Sequence, residues 1–239
     1  MNENFFQVGG LTAGYGDIQV LWGIDLDVQA GEIVCLVGSN GAGKSTLLRC
    51  ISGLLPISGG RILLRGADLS RATPDQVLEA GIAQIPEGRR LFSAMSVKNN
   101  LFMGAYLRKE GPAAIRRDLE SVFNLFPILA ERMNQDAGTL SGGEQQMCAI
   151  ARGIMSKPAM LMIDELSLGL APLVIERLGD ALLNINQSGI SILLVEQDVM
   201  IAFELARRGF VLESGRVILS GFTADLANNP TVQEAYMGI

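Results

Sequence analysis

The run Gly38-Ser39-Asn40-Gly41-Ala42-Gly43-Lys44-Ser45-Thr46 constrains this chain more than any other feature. It fits G-x-x-x-x-G-K-[ST] and lies between an apolar stretch, Ile33-Val34-Cys35-Leu36-Val37, and a helical pattern that begins at Ser45. In such a strand–loop–helix unit the glycines let the backbone curl around an anion without Cβ clashes. Successive N–H groups and the positive end of the following helix then face the same point. The run therefore predicts a phosphate-binding loop, Gly38 to Thr46, with Lys44 at the β- and γ-phosphates of a nucleotide and Ser45 at a Mg²⁺ ion.

The rest of the chain supplies a sheet to carry that loop. Continuous apolar runs at 33–37, 159–163 and 190–195 predict buried parallel strands, each followed by helical sequence. The first 30 residues alternate polar and apolar side chains and turn at Ala30-Gly31, which predicts a half-exposed antiparallel region. Residues 87–157 read as mainly helical, with Leu119, Val122, Phe123 and Phe126 on one apolar face. A hairpin with a Ser214-Gly215 turn is predicted across 210–219. Chain length, 239 residues, suits a single α/β unit spanning 1–239, in which 1–86 and 158–239 hold the sheets and 87–157 the helices.

Composition removes several classes. An apolar fraction of 49% suggests strands covered on both faces rather than a membrane span, since no uncharged run reaches about 18 residues. Met1-Asn2-Glu3-Asn4 offers no basic region ahead of an apolar core, so no signal peptide is expected and a cytoplasmic location follows. A net charge of −6 with only paired basic residues, Arg89-Arg90, Arg116-Arg117 and Arg207-Arg208, argues against nucleic acid; those pairs read as solvated helix faces. Cys35, Cys50 and Cys148 lack CxxC spacing, and the chain has no histidine, so buried thiols are expected rather than a metal cluster.

A second acidic motif, Met160-Leu161-Met162-Ile163-Asp164-Glu165, ends an apolar strand in two carboxylates. At the C-terminal edge of a nucleotide-binding sheet, Asp164 is placed to hold Mg²⁺ and Glu165 to orient an attacking water. Further on, Leu140-Ser141-Gly142-Gly143-Glu144-Gln145-Gln146 opens an apolar helix, with Ser141 and Glu144 at capping-box spacing.

Together these motifs make the chain resemble, over essentially its whole length, the ATP-binding cassette (ABC) ATPases. The resemblance implies that Ser141, Gly142 and Gly143 face the γ-phosphate of ATP held by an opposite subunit, so that two chains share each nucleotide. It also implies adenine stacking on Tyr15 and a switch role for Gln197, which joins Glu165 and Lys44 in the catalytic set. Glu87 takes the place of the glutamine near the metal. The stretches Pro86-Glu87-Gly88-Arg89-Arg90-Leu91-Phe92, Ser167-Leu168-Gly169-Leu170-Ala171-Pro172 and Val195-Glu196-Gln197 are similar to LivF-type ATP-binding subunits of bacterial branched-chain amino acid importers. Leu166 departs from that pattern, where proline is expected, and Asp198 stands where asparagine is frequent. Leu166 leaves the turn behind Glu165 without the φ restraint of a proline ring.

The resemblance implies ATP and Mg²⁺ as cofactors, and the partners follow from it as well. They are two integral-membrane permease subunits, a second ATPase subunit or a second copy, and indirectly an extracytoplasmic solute-binding protein. The location implied is the cytoplasmic face of the membrane. Three other readings are open at this level: a nonhydrolysing nucleotide-binding regulator, motivated by Gln197 and Ala171, an importer of urea or amides, and an ABC ATPase outside transport.

Overall fold

The computed structural model describes residues 5–237; the expectation placed on Met1 to Asn4 lies outside them. Two long strands, β1 (Phe6–Tyr15) and β2 (Ile18–Val28), pair antiparallel as the alternating pattern predicts. β3 (Ile33–Val37) is buried along its full length and leads through the glycine-rich loop into α1 (Lys44–Ile51). β4 (Gly59–Leu64) and β5 (Ala67–Asp68) return to the first sheet, giving the order β2-β1-β4-β5.

After α2 (Pro74–Ala80), β6 (Ile82–Ile85) is followed by helices alone among the described residues until Met160. These are α3 (Val97–Gly104), α4 (Pro112–Leu125), α5 (Pro127–Glu131) and α6 (Gly142–Ile154). Leu119, Val122 and Phe126 are buried and Phe123 packs beside them, so the apolar stripe read from the sequence is the inner face of α4. β7 (Met160–Asp164), α7 (Pro172–Gln187), β8 (Ser191–Glu196) and α8 (Val199–Leu205) complete the alternation. The hairpin of β9 (Arg208–Glu213) and β10 (Arg216–Phe222) turns at Ser214 and Gly215, both at positive φ, before two short helices, α9 (Thr223–Ala227) and α10 (Pro230–Val232).

The second sheet has the order β10-β9-β3-β8-β7-β6 and is parallel except at the β9–β10 edge. Alternate side chains of each central strand feed two different cores. Ile33, Cys35 and Val37 join one, packed on the helical side, while Val34 and Leu36 join the other, packed against β1, β2 and α1. Burial on both faces is the physical reason these strands read as unbroken apolar runs. The fold is thus α/β, with a mainly parallel nucleotide-binding sheet, an antiparallel β region and a helical region. Among the described residues no helix is long and apolar enough to cross a membrane.

All three cysteines are buried and free, and burial pushes their thiols up, Cys35 to about 12 and Cys50 and Cys148 to about 11. The arginine pairs are not uniformly solvated helix faces. Arg116 and Arg117 are exposed on α4. Arg89 and Arg90 instead sit at positive φ in the loop after β6. Arg208 starts β9 and forks onto Asp27 at 2.9 and 3.0 Å, with Glu32 at 3.2 Å. That fork holds β9, next to the edge strand of the second sheet, to β2, a contact between residues far apart in the chain.

Candidate functional site

The loop from Gly38 to Gly43 joins β3 to α1, and its shape depends on glycine. A Cβ at Gly38 would collide with the Leu212 carbonyl oxygen, and Gly41 and Gly43 adopt φ of 82° and 110°. Gly215 N–H donates to the Ala42 carbonyl at 2.8 Å, so the β9–β10 turn braces the loop from behind. The Lys44 ammonium is buried and donates to the Gly38 carbonyl at 2.6 Å. It also pairs with Glu165 at 3.3 Å, so the loop cation and the strand-end carboxylate meet across one small space.

That space is a cleft of about 240 Å³ lined by Ser39, Lys44, Ser45, Glu87, Glu165 and Gln197 among others. These residues come from loops at the C-terminal ends of β3, β6, β7 and β8, neighbours in the second sheet. Asp164 lines the adjoining groove, which shares Ser45 and Glu87 with the cleft. Its side chain is only 4% exposed and its Oδ1 is buried without a hydrogen-bond partner. Burial, then the nearby carboxylates of Glu165 and Glu87, raise its pKa to about 6, against the opposing pull of Lys44 and the Ser45 hydroxyl. An orphaned carboxylate oxygen facing a serine hydroxyl suits a hard divalent cation, which takes oxygen ligands and leaves positions for phosphate and water. Among the described residues no group of three or more Asp, Glu, His or Cys converges as a closed cage.

Glu165 has φ 53°, a left-handed conformation that a glutamate adopts only under constraint. Its N–H donates to Val195 O at 2.9 Å, and Leu166 is fully buried behind it. Glu196, the last residue of β8, is also fully buried. Its Oε1 accepts from Ser167 N–H at 3.0 Å and its Oε2 from the Ser167 hydroxyl at 3.1 Å. Burial is the main reason its pKa rises to about 7, with the Glu165 charge adding to the effect.

Other residues named from the sequence lie apart from this cleft. Ser141 caps α6 in the predicted box, with its N–H on Glu144 Oε2 at 2.8 Å and its hydroxyl accepting from Glu144 N–H at 3.4 Å. Ser141 is exposed and Gly142 packs beside the Arg89 guanidinium, while Gly143 is buried against Val174. Tyr15 ends β1 with 42% exposure and accepts a 3.0 Å hydrogen bond from Arg49 on α1. Ala171 stands at the N-terminus of α7, exposed and without a side-chain cap.

The structure adds residues that reading the sequence passed over. Arg152 of α6 donates to the carbonyls of Arg90 at 2.8 Å and Arg89 at 3.2 Å, and its guanidinium lies over the Phe92 ring. The loop that carries Glu87 is thereby tied to the helix that starts at Ser141. Glu196 was hidden by its neighbour Gln197, although a carboxylate closing an apolar strand was itself a signal. Arg49 gave none, because its partner is 34 residues away.

Comparison with known proteins accords with this geometry. The model of the family described as ABC transporter matches residues 21–167. The chain is similar to the high-affinity branched-chain amino acid transport ATP-binding protein BraG of Pseudomonas aeruginosa, 44% identical over 224 residues, with 94% of this chain and 95% of that one covered. It is 36% identical to a protein of Archaeoglobus fulgidus named "Probable branched-chain amino acid transport ATP-binding protein LivF", covering 96% and 97% of the two chains. Among solved structures, an ATP-binding cassette of an ABC transporter in its ADP conformation superposes with a TM-score of 0.86 at 25% identity, over 99% of this chain and 100% of that one. A phosphate loop, an acidic strand end and a capped glycine pair on one sheet framework, matched over nearly the full length of such relatives, place the chain in the ABC transporter family as an ATP-binding cassette with ATPase chemistry.

Proposed function

We infer that the chain is the ATP-hydrolysing subunit of a bacterial importer of branched-chain amino acids. One observation carries the hydrolytic part of this reading: Lys44, Ser45, Glu87, Glu165 and Gln197, drawn from the ends of four strands, line one cleft at the sheet edge, while similarity to the branched-chain amino acid transport proteins supports the solute. In it the backbone from Ser39 to Thr46 and Lys44 would cradle the phosphates, exchanging the Lys44–Glu165 pair for a Lys44–phosphate one. Tyr15 would stack on adenine, its ring held from behind by Arg49. Asp164 and Ser45 would hold Mg²⁺, with Glu87 at the edge of its shell; when bound, that ion neutralises developing phosphate charge. Glu165, freed from Lys44, would orient the water and accept its proton, and Gln197 would donate a positioning hydrogen bond.

The whole chain, 1–239, is read as one cassette, with 87–157 as its mainly helical part. Ser141, Gly142 and Gly143 lie outside the chain's own cleft, as residues that complete a partner cassette's site must. The partners proposed are a second ATPase subunit or a second copy, two permease chains and, through them, an external solute-binding protein. A groove of about 620 Å³ runs from Ser45 and Glu87 past Phe92 to Tyr106 and Arg152, and is proposed as the permease contact. The chain would then sit on the cytoplasmic face of the membrane through its partners.

The test is affinity isolation of the tagged chain from membranes, followed by phosphate release with MgATP. Copurifying permeases and a solute-binding protein that takes up leucine-like amino acids support the reading, together with turnover that disappears in Lys44→Ala. Turnover that survives Lys44→Ala, or a bound solute of another class such as urea, overturns it.

A further inference from the structure

We propose that Glu196 is a positioning residue for Glu165, because its carboxylate clamps both the main-chain N–H and the hydroxyl of Ser167 and so fixes the turn behind the water-orienting side chain. The inference rests on the reading of Glu165 given above.

The turn from Asp164 to Ser167 has to hold a glutamate at φ 53°. Such a conformation is unfavourable for a glutamate and persists only where the surroundings over-determine it. A proline at 166 would restrict the backbone by itself, but Leu166 does not. Here the restraint comes from β8 instead. Val195 takes the N–H of Glu165 at 2.9 Å, and the next residue, Glu196, takes the N–H of Ser167 at 3.0 Å. Consecutive residues of one strand thus pin both sides of the turn, with Leu166 buried between them.

The clamp also reaches outward. Ser167 O accepts from Leu170 N–H at 3.2 Å, so its placement sets the segment from Leu168 to Ala171, which is exposed except at the half-buried Leu170. Leu168 lines the nucleotide cleft. Glu196 is followed directly by Gln197, which lines the same cleft, so one side chain registers the switch position against the turn that carries Glu165. A fully buried carboxylate is an expensive way to hold a loop, and an apolar residue of similar volume would serve stability as well or better. What an apolar residue cannot do is fix two donor atoms of Ser167 at once.

The test uses the assembly isolated from membranes, with kcat and KM for ATP measured for each variant and turnover normalised to nucleotide-binding sites. Glu196→Ala should lower kcat roughly 10- to 100-fold with KM for ATP within twofold, as expected when a catalytic group shifts by about an ångström while the phosphate loop is untouched. Glu196→Gln should recover most of that loss, since its amide can accept from the Ser167 N–H and donate to the hydroxyl oxygen. Ser167→Ala, which keeps the main-chain bond, should lose less than Glu196→Ala and add nothing to it in the double variant. If Glu196→Ala does not fold, Ser167→Ala and Glu196→Gln decide the matter. Full turnover in Ser167→Ala, or Glu196→Gln as impaired as Glu165→Gln, overturns the clamp. Glu196→Ala with unchanged kcat, or with kcat and KM lost in proportion, does so equally. Glu165→Gln measured alongside separates the two inferences: if it retains turnover, the role of Glu165 itself is wrong, and if it is inactive while Glu196→Ala is not, only the clamp fails.

Discussion

Asp164→Asn should make the nucleotide-free protein more stable while removing its Mg²⁺-dependent function. The carboxylate is buried, one oxygen has no partner, and Glu165 and Glu87 add like charge, which together lift its pKa from 3.8 to about 6. One pKa unit corresponds to about 1.4 kcal/mol, so ionising this carboxyl costs the native state about 3 kcal/mol more than it costs the unfolded chain. Because the native pKa lies above the unfolded one, this stability is fully present below pH 3.8. It is lost as the pH rises through about 6. Wild-type protein at pH 8 therefore bears the whole penalty, at pH 5 about half of it, and Asn bears none at either.

For a chain of this length each kcal/mol moves Tm by about 2–4 °C, so Asp164→Asn should raise Tm at pH 8 by up to roughly 6–12 °C and at pH 5 by about half as much. An unpaired amide hydrogen in the mutant subtracts from that ceiling by about 1 kcal/mol or more. Thermal unfolding followed by circular dichroism in EDTA, without nucleotide, measures both offsets. Adding MgATP should stabilise the wild type strongly and the variant little, with phosphate release lost. A variant less stable than wild type at pH 8, or an offset equal at both pH values, would refute the electrostatic account of this site.

Glu165→Gln should reduce phosphate release by at least about 10²-fold with ATP affinity retained, because geometry survives and proton acceptance does not; unchanged release in the isolated assembly rejects the assignment. Tyr15→Ala should weaken ATP binding several-fold through loss of about 1 kcal/mol of stacking, read by nucleotide titration. The Arg49 bond to the Tyr15 hydroxyl makes Tyr15→Phe intermediate rather than silent, and equal affinities for Phe and wild type would show that the bond does not orient the ring. Gly38→Ala should abolish nucleotide binding and lower Tm, since its Cβ meets the Leu212 main chain. Gly41→Ala, with open space around it but φ 82°, should cost only about 1 kcal/mol; the reverse ranking in thermal unfolding contradicts the loop geometry.

What the sequence disclosed was governed by local rules. β3, β7 and β8 were visible because strands covered on both faces have no polar side to interrupt them. The Ser141–Glu144 box and the Ser214-Gly215 turn were visible because their partners lie within a few residues. The parts that escaped depend on sheet order. Arg208 meets Asp27 across 181 positions because β9 lies beside β3 at the end of the sheet nearest β2, and Glu196 meets Ser167 across 29 because β7 and β8 are neighbours. Arg89 and Arg90 were misplaced for a different reason. A basic pair gives no sign that the backbone beneath it is left-handed, and here their carbonyls, rather than their charges, are what Arg152 holds.

Several positive-φ residues and two incompletely matched charges meet at one edge of this molecule. Gly41, Gly43, Arg89, Arg90 and Glu165 all have positive φ within the loops that follow β3, β6 and β7. Asp164 is buried with a bare oxygen, and Lys44 is paired with Glu165, the carboxylate proposed to give it up to a phosphate. The positive φ of Gly41 and Gly43 costs little, whereas that of Glu165 and the bare oxygen of Asp164 each cost about as much as a good hydrogen bond contributes. They persist because the strands beneath them are buried on both faces. A bound phosphate with its cation relieves several at once: it gives Lys44 an anion, Asp164 a ligand and the loop N–H groups an acceptor. On the proposed reading, part of the binding free energy comes from satisfying charges and polar groups that the free chain leaves incompletely matched. The same reasoning explains why Glu165 is restrained so heavily. In the role proposed for Glu165, a carboxylate that relaxed when Lys44 left it would spend the relief on its own rotation. One held by Val195 on one side and by Glu196 on the other keeps its place while the charge beside it changes.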